Sequence, residues 1–485
     1  MQIYNTLTRQ KEEFLPAGSK ARPPKFLDMP SATAPLAQVQ KFGRVKMFVC
    51  GPTVYDYIHV GNARTYTVFD VVAKYLRSRD YEVEYIQNIT DIEDKIIARA
   101  LELGQDPVDY AKDYSDAFFE DTKKLGIDSV SHYEPATKNI EQVIKQVKTL
   151  IDKDNAYKIE NDGWYFDLKT FPEYGKLSGR TVEMAEDGVS RIDESSGKRN
   201  RGDFCLWKFS KPEEPGWDSE LGYGRPGWHI EDTAITEKYF GPQYDLHGAG
   251  ADLMFPHHEA EIAQQESASG LKPFVRYWMH VGFLVNKTQK MSKSLGNFMV
   301  LREALKKYSP EVLRFYFLSS HYRSPLDYNE ELLKQAEAAT NRLAEFIFRL
   351  KSAQKSLNGS STKLDMIEKT QQNFEREMDD DFNTPRAIAT IFEFIRSINP
   401  LLDNAQVKLA QVRETLKTFE GFNQILGIIP EKIQEIPSEV QKLVSERETA
   451  RQAKNFTRAD ELREQVKKAG YEIDDTAYGP LVKKL

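Results

Sequence analysis

The chain has 485 residues, of which 40% are hydrophobic and 29% charged, with a formal net charge of −7. That length exceeds one compact core and predicts about two to four domains of ordinary globular composition. The acidic balance excludes a uniformly basic nucleic-acid binder, so any RNA partner needs local basic surface. No apolar run is long enough to span a membrane, and the opening MQIYNTLTRQKEEF lacks the apolar core of a signal peptide. Two cysteines, Cys50 and Cys205, argue against a disulfide framework and suit a reducing cytoplasm.

The first stretch contains PAGSKARPPKFLDMPSATAP, read as a loop excursion over Gly18–Gln40 with no assigned role. An apolar run from Val45 to Cys50 then stops at Gly51-Pro52, as a strand does at a turn. Val68, Val71, Val72, Tyr75 and Leu76 recur at helical spacing and predict a helix from about Asn62–Ala63 to Asp80. A second strand is expected over Val83–Ile89, completing a βαβ unit with parallel strands. Helices follow over Ile92–Leu125, broken at Gly104–Pro107, and over Asn139–Ile151. Short strand-like runs occupy Tyr157–Ile159, Gly163–Phe166 and Asp203–Trp207, and Cys205 in the last of these reads as a buried structural thiol. The sheet resumes at Tyr244–His247, and Pro256 is expected to open a helix carrying His257, His258, Glu259 and Glu261. Beyond it come helices at Glu311–Ser320, Glu330–Lys355, Thr384–Asn399 and Val407–Phe419. A loop at Asn358–Lys363, a linker at Pro430–Pro437 and a basic helical terminus ending in Tyr471–Asp475 complete the reading.

In a parallel sheet, ligands sit beyond the strand C-termini, where the crossover helix begins. There lie His59, Val60, Gly61 and Asn62. A glycine allows close approach of a base or phosphate, and a helix start favours an anion. His59 can donate to a phosphate oxygen as charge moves. The bland alternative is that His-x-Gly-Asn simply caps a helix. The second stretch, Lys290-Met291-Ser292-Lys293-Ser294, puts two lysines in a loop suited to a polyphosphate.

Together the two stretches resemble the HIGH and KMSKS signatures of class I aminoacyl-tRNA synthetases, with HVGN replacing HIGH. FVCGPTVYD, NITDIEDK, GRPGWHIED, DLHGAGADLMFPHHEAEIAQ and WMHVGFL resemble the cysteinyl-tRNA synthetase family in order and spacing, and the likeness runs from Tyr4 almost to the C-terminus. The resemblance implies an α/β fold: a Rossmann-type parallel-sheet catalytic domain with a connective insertion, then a helical bundle and a small C-terminal anticodon-binding domain. The implied boundaries are 1–126 and 225–278 for the catalytic halves and 127–224 for the insertion. Residues 279–328 form the KMSKS-containing region, 329–430 the bundle and 438–485 the anticodon-binding domain.

The resemblance also implies ATP-dependent ligation of L-cysteine to tRNA(Cys) through an adenylate, by a monomer in the cytoplasm. His59, Asn62, Lys290 and Lys293 would be catalytic. His59, Gly61, Asn62, Gly248, Gly250, Asp252 and Lys293 would bind ATP, which is accompanied by Mg²⁺. Cys50, Thr53, Thr90, Trp228, His247 and Asp252 would bind cysteine. Zinc would sit on Cys50, His257 and Glu261, with Asp232 where the family carries a second cysteine; His258 and Glu259 would point elsewhere on the helix, supporting the ligands or the structure. Phe456 and Tyr471 in the basic terminus would stack on unpaired bases, although the terminal tryptophan often found in the family is replaced by Gly479-Pro480-Leu481. Two rivals remain open: a cysteine-activating ligase with an amino-sugar acceptor, and a catalytically silent RNA-binding paralogue.

Overall fold

The computed structural model describes residues 1–17, 43–180, 195–286, 289–290, 299–356, 365–404, 406–430, 436–476 and 479–484. The Pro-rich excursion from Gly18, the polar stretch 181–194, the KMSKS residues from Met291 on, the loop at 358–363 and the linker at 431–435 lie outside them. The described chain forms two units, one of residues 1–329 together with 378–383, the other of 330–377 and 384–485.

The first unit is built on a five-stranded sheet with the strand order Val275–Val281, Tyr244–Gly250, Gly43–Val49, Tyr81–Ile89, His132–Pro135, every adjacent pair parallel. The inner strands are buried over their C-terminal halves, as expected where helices cover both faces. From Gly43–Val49 the chain steps outward twice, to Tyr81–Ile89 and then His132–Pro135, before returning to Tyr244–Gly250 on the other side. The order therefore reverses between Gly43–Val49 and Tyr244–Gly250, and a crevice opens beyond their C-terminal ends. The strand His132–Pro135 was grouped with the insertion by sequence. Four residues without an apolar run, partly exposed, give no strand signal of their own.

The crossover helix spans Val60–Ser78, two residues earlier than its apolar stripe predicts. The reason is local: the ring of His59 accepts hydrogen bonds from the N–H groups of Gly61 and Asn62 and so starts the helix at Val60. The predicted pair of helices after the second strand is present as Asp94–Glu102 and Pro107–Lys124, the latter with Asp106 as its cap and proline at its first position. Ala156–Ile159, Gly163–Phe166, Phe204–Phe209 and Gly224–Pro226 form a separate four-stranded antiparallel sheet. Cys205 is buried there against Tyr157 and Tyr165, the structural role expected of it.

Two buried charge clusters fasten this unit. Asp70, on the crossover helix, pairs with Arg314 at 2.8 Å and Lys74 at 2.9 Å. Asp381, fully buried, accepts from the Tyr4 N–H at 2.8 Å, the Tyr322 hydroxyl at 2.7 Å and Arg323 Nε at 2.8 Å.

In the second unit, helices span Glu330–Ser356, Asp365–Asp379 (its last two residues belonging to the first unit), Thr384–Asp403 and Leu409–Leu426. The predicted stripe is its core: Leu343, Phe346 and Leu350 are buried, and Phe346 meets Phe419 at 5.0 Å between ring centroids. The helix from Thr384 runs through Pro400 rather than ending at Asn399, and the next extends to Leu426. Helices Ser438–Gln452 and Phe456–Lys468 then pack with the hairpin Tyr471–Thr476/Gly479–Lys484 around Val440, Val444, Val466 and Ile473. Among the described residues, no helix is long and apolar enough to cross a membrane.

Candidate active site

At the C-terminal ends of the central strands lies a cavity of about 430 Å³. Its wall brings together Cys50, Thr53, His59, Gly61, Asn62, Thr90, Trp228, Asp232, Gly250, Asp252 and His257 from four separate stretches of chain. His247, Gly248 and Glu261 stand behind that wall. Gly248 has an internal reason to be glycine, since a Cβ there would come within 2.3 Å of the Phe69 ring. Lys290 lies in a two-residue strand paired with Val285, and Lys293 is outside the described residues.

His59 and Asn62 face the cavity in a defined way. His59 Nδ1 accepts from Gly61 N at 3.0 Å and Asn62 N at 3.2 Å, which in the neutral ring leaves the proton on Nε2. Asn62 Oδ1 accepts from His59 N at 3.3 Å, so the amide turns its NH₂ outward. The helix start is thus not a row of open N–H groups. Two of them are spent on His59, and the donors offered to a ligand are side-chain ones. Gly61 is glycine for the same reason: a Cβ would sit 2.8 Å from the folded-back His59 ring. Arg64, one turn on, is buried and donates to the carbonyls of Gly282, Phe283, His321 and Ser324. Burial brings its pKa down to about 10. It locks the cavity-lining turn after strand Val275–Val281 to the His59 helix.

The metal-type residues converge below. Cys50, Asp232, His257 and Glu261 offer donor atoms that all lie within 4.8 Å of one another. His257 Nε2 is 3.0 Å from Asp232 Oδ2 and 3.1 Å from Glu261 Oε1. Burial works against a charge on His257, but Asp232 and Glu261 together lift its pKa to about 10. Burial lifts Glu261 to about 8 against the lowering pull of His257, with the neighbouring Asp232 adding to the rise. Burial, then the same two carboxylates, raises the Cys50 thiol. Asp232 Oδ1 and Glu261 Oε2 are buried with no hydrogen-bond partner, a costly state that a cation would relieve. His257 and Glu261 meet although the α-helix begins only at Glu259; the chain before it kinks at the extended Phe255, and the His258 N–H closes the bend onto the Leu253 carbonyl at 3.0 Å. His258 does not point elsewhere, since its Nε2 lies 3.3 Å from Cys50 Sγ, a position from which it supports the cluster. Glu259 keeps a structural role, accepting from the backbone of Gly175, Leu177 and Ser178.

Sequence reading missed Glu231, Asn88 and Lys95. Glu231 is buried, accepts from Thr90 Oγ1 and, at 3.0 Å, from Asn88 Nδ2, and lines the cavity beside Asp232. Burial first, and Asp232 next, raise its pKa well above the usual carboxylate range. Lys95 Nζ stands 6.0 Å from the Trp228 ring at the cavity mouth.

Comparison with known proteins bears on this arrangement. Residues 36–338 match the family of tRNA synthetases class I (C) catalytic domain, 373–430 the DALR domain, and 434–477 the cysteinyl-tRNA ligase anticodon binding domain. The chain is 41% identical over 498 residues to the cysteine–tRNA ligase of Thermococcus onnurineus (strain NA1), covering 100% of this chain and 99% of that protein. It is 42% identical over 487 residues to that of Carboxydothermus hydrogenoformans (strain ATCC BAA-161 / DSM 6008 / Z-2901), covering 99% of each. Among solved structures, Mycobacterium tuberculosis methionyl-tRNA synthetase bound by methionyl-adenylate shares the fold, with a TM-score of 0.62 at 16% identity over 79% of this chain and 92% of that one. The Agrobacterium radiobacter K84 agnB2 LeuRS in its ternary complex gives 0.60 at 10% identity, over 80% of this chain and 84% of that one. With a synthetase catalytic model over its nucleotide-type crevice and a cysteine-specific terminal domain behind it, the chain belongs to the cysteine–tRNA ligase family of class I aminoacyl-tRNA synthetases.

Proposed function

We propose that the chain activates L-cysteine with ATP, taken as its Mg²⁺ complex, and transfers the cysteinyl group to the terminal ribose of tRNA(Cys). The observation that carries this is the single cavity in which His59 and Asn62 share a wall with Trp228 and the Cys50–Asp232–His257 cluster. A nucleotide's phosphates fit the first pair, and a small thiol side chain fits the second.

In activation, a carboxylate oxygen of cysteine bonds to the α-phosphorus while the bond from that phosphorus to pyrophosphate breaks. Placement and charge stabilisation dominate such a step. His59 Nε2–H and the Asn62 NH₂ donate to phosphate oxygens as negative charge builds on them. Lys290 and Lys293 supply positive charge to the departing pyrophosphate. Trp228, Thr53, Thr90, His247 and Asp252 contribute to seating the amino acid, and Gly61, Gly248, Gly250 and Asp252 to seating the nucleotide. For His247 and Gly248 that contribution is from behind the wall.

Cysteine differs from serine by one atom, and a pocket alone separates such near-isosteres poorly. The donors Cys50, Asp232, His257 and Glu261 would hold Zn²⁺, which when bound supplies an affinity for thiolate that a neutral hydroxyl does not match. Asp232 preserves the charge of the thiolate found there in the family while offering a harder oxygen. Cysteine-dependent ATP–pyrophosphate exchange tests the first step, and charging of tRNA(Cys) the second. Exchange without tRNA charging, but with an amino-sugar acceptor consumed, would replace the tRNA reading. No exchange at all would leave a silent paralogue. The terminal domain favours tRNA, because a small-molecule acceptor needs no base-reading unit. Metal analysis of protein purified without chelator, set against rejection of serine, tests the zinc assignment.

A further inference from the structure

Cys50 stands at the meeting point of two donor sets. Besides the one with Asp232 and His257, a second comprises Cys50, His247, His258 and Glu261, again with all donor atoms within 4.8 Å of one another. Cys50 Sγ is 3.1 Å from His247 Nε2 and 3.3 Å from His258 Nε2. A tetrahedral zinc with bonds of about 2.3 Å to sulfur and 2.0–2.1 Å to nitrogen separates such ligands by roughly 3.5 Å. Only a slight spreading of these atoms would admit the ion.

The two imidazoles are already aimed. His247 Nδ1 is held by the Tyr244 hydroxyl at 2.6 Å, and its ring stacks on Trp278 at 4.3 Å. His258 Nδ1 is held by His280 Nε2 at 2.8 Å, and His280 Nδ1 in turn by Thr6 Oγ1 at 2.9 Å. A metal-binding histidine typically has its second nitrogen fixed in this way, leaving the other to face the ion. His247, His258 and Glu261 are all fully buried, and Glu261 Oε2 has no hydrogen-bond partner while Oε1 lies 3.1 Å from His257 Nε2. The donor chemistry also differs between the sets. One sulfur, two imidazoles and one carboxylate suit zinc better than one sulfur, one imidazole and two carboxylates.

We propose that, in the enzyme without substrate, a single Zn²⁺ rests in this inner seat on Cys50, His247, His258 and Glu261. The inference rests on the reading that the pocket takes zinc. Cys50 and Glu261 belong to both sets, so one ion serves both. Cys50, Asp232 and His257 line the substrate cavity, whereas His247, His258 and Glu261 do not. The inner seat is therefore closed to substrate, and the replacement of a thiolate by Asp232 leaves it untouched.

X-ray absorption at the zinc edge of the full chain, loaded with one equivalent of Zn²⁺ and free of cysteine, tests this. The expected spectrum has one sulfur and two imidazoles per zinc. Asp232→Ala should keep about one zinc per chain through dialysis and retain both imidazoles, whereas His258→Gln should drop to one imidazole. A one-imidazole spectrum in the unsubstituted chain, a zinc-free chain, or loss of zinc from a folded Asp232→Ala protein would each overturn the inner seat. Cysteine-dependent pyrophosphate exchange on the same preparation reports separately on the proposed function. Two imidazoles without exchange would sink only the proposed activity, and exchange with one imidazole only the inner seat.

Discussion

His59 and Asn62 cap each other: the ring of His59 takes the backbone N–H of Asn62 at 3.2 Å, and the side chain of Asn62 takes the backbone N–H of His59 at 3.3 Å. One pair of residues thereby starts the helix and fixes which polar atoms the cavity meets. The two roles can be separated. His59→Asn keeps a good capping residue and should cost at most about 1 kcal/mol in stability. Loss of the Nε2 donor should slow adenylate formation by about 10²–10³-fold. Thermal unfolding and pyrophosphate exchange check the two halves; a mutant with unchanged exchange would reduce His59 to a cap.

Lys293→Ala is expected to leave ATP and cysteine binding nearly intact while slowing exchange by about 10²–10³-fold, the pattern of a contact made in the transition state. Equilibrium binding alongside exchange kinetics distinguishes this from a rise in KM alone. Unaltered kinetics would remove Lys293 from the reaction.

Asp70 gives a pH dependence. Burial alone would raise its carboxyl pKa, but Arg314 and Lys74 outweigh burial and hold it below its usual 3.8. A depressed folded pKa stabilises the protein above the unfolded value, and that contribution fades as pH falls through the folded one. Asp70→Asn should therefore cost about 3–5 kcal/mol at pH 7, the toll of a buried Arg314 charge that has lost its carboxylate. The gap between mutant and parent should hold down to about pH 5 and narrow below pH 4. Denaturant midpoints at pH 7, 5 and 3.5 measure it, and a gap independent of pH would rule out the charge as its source.

Phe456 is 63% exposed at the start of its helix in the terminal domain. Phe456→Ala should leave exchange unchanged and weaken tRNA(Cys) charging by about 1–3 kcal/mol if it stacks on a base. Ending the chain after Pro437 should likewise spare exchange and sharply reduce charging. Joint loss of both activities in the shortened protein would instead assign the domain a role in folding.

Much of this was written in local sequence. The strand Gly43–Val49 ends in an apolar stretch ahead of Gly51-Pro52, Tyr244–Gly250 closes on small residues, and Thr384-Pro385 opens a helix as such a pair does. Cys50, Asp232, His257 and Glu261 were legible as ligand types through family resemblance, and the structure brings them together. What could not be read was direction. His258 Nε2 lies 3.3 Å from Cys50 Sγ across more than two hundred residues of chain, and helix spacing around His258 carries no information about that partner. Glu231 and Arg64 escaped notice because their meaning lies in partners more than a hundred residues away. Their own neighbours in sequence give no hint of it.

The placement of Asp381 bears on where the protein can be divided. Residues 378–383 lie between two helices of the second unit yet group with the first. Through Asp381 they satisfy Tyr4, Tyr322 and Arg323 there. The catalytic body is therefore assembled from two lengths of chain, and a protein ended at Asn329 would be missing one of them. Such a fragment leaves the buried Tyr322 hydroxyl without its acceptor, at a cost of about 1–3 kcal/mol. A self-sufficient catalytic piece must run at least through Asn383, carrying the helices in between as the tether that delivers Asp381.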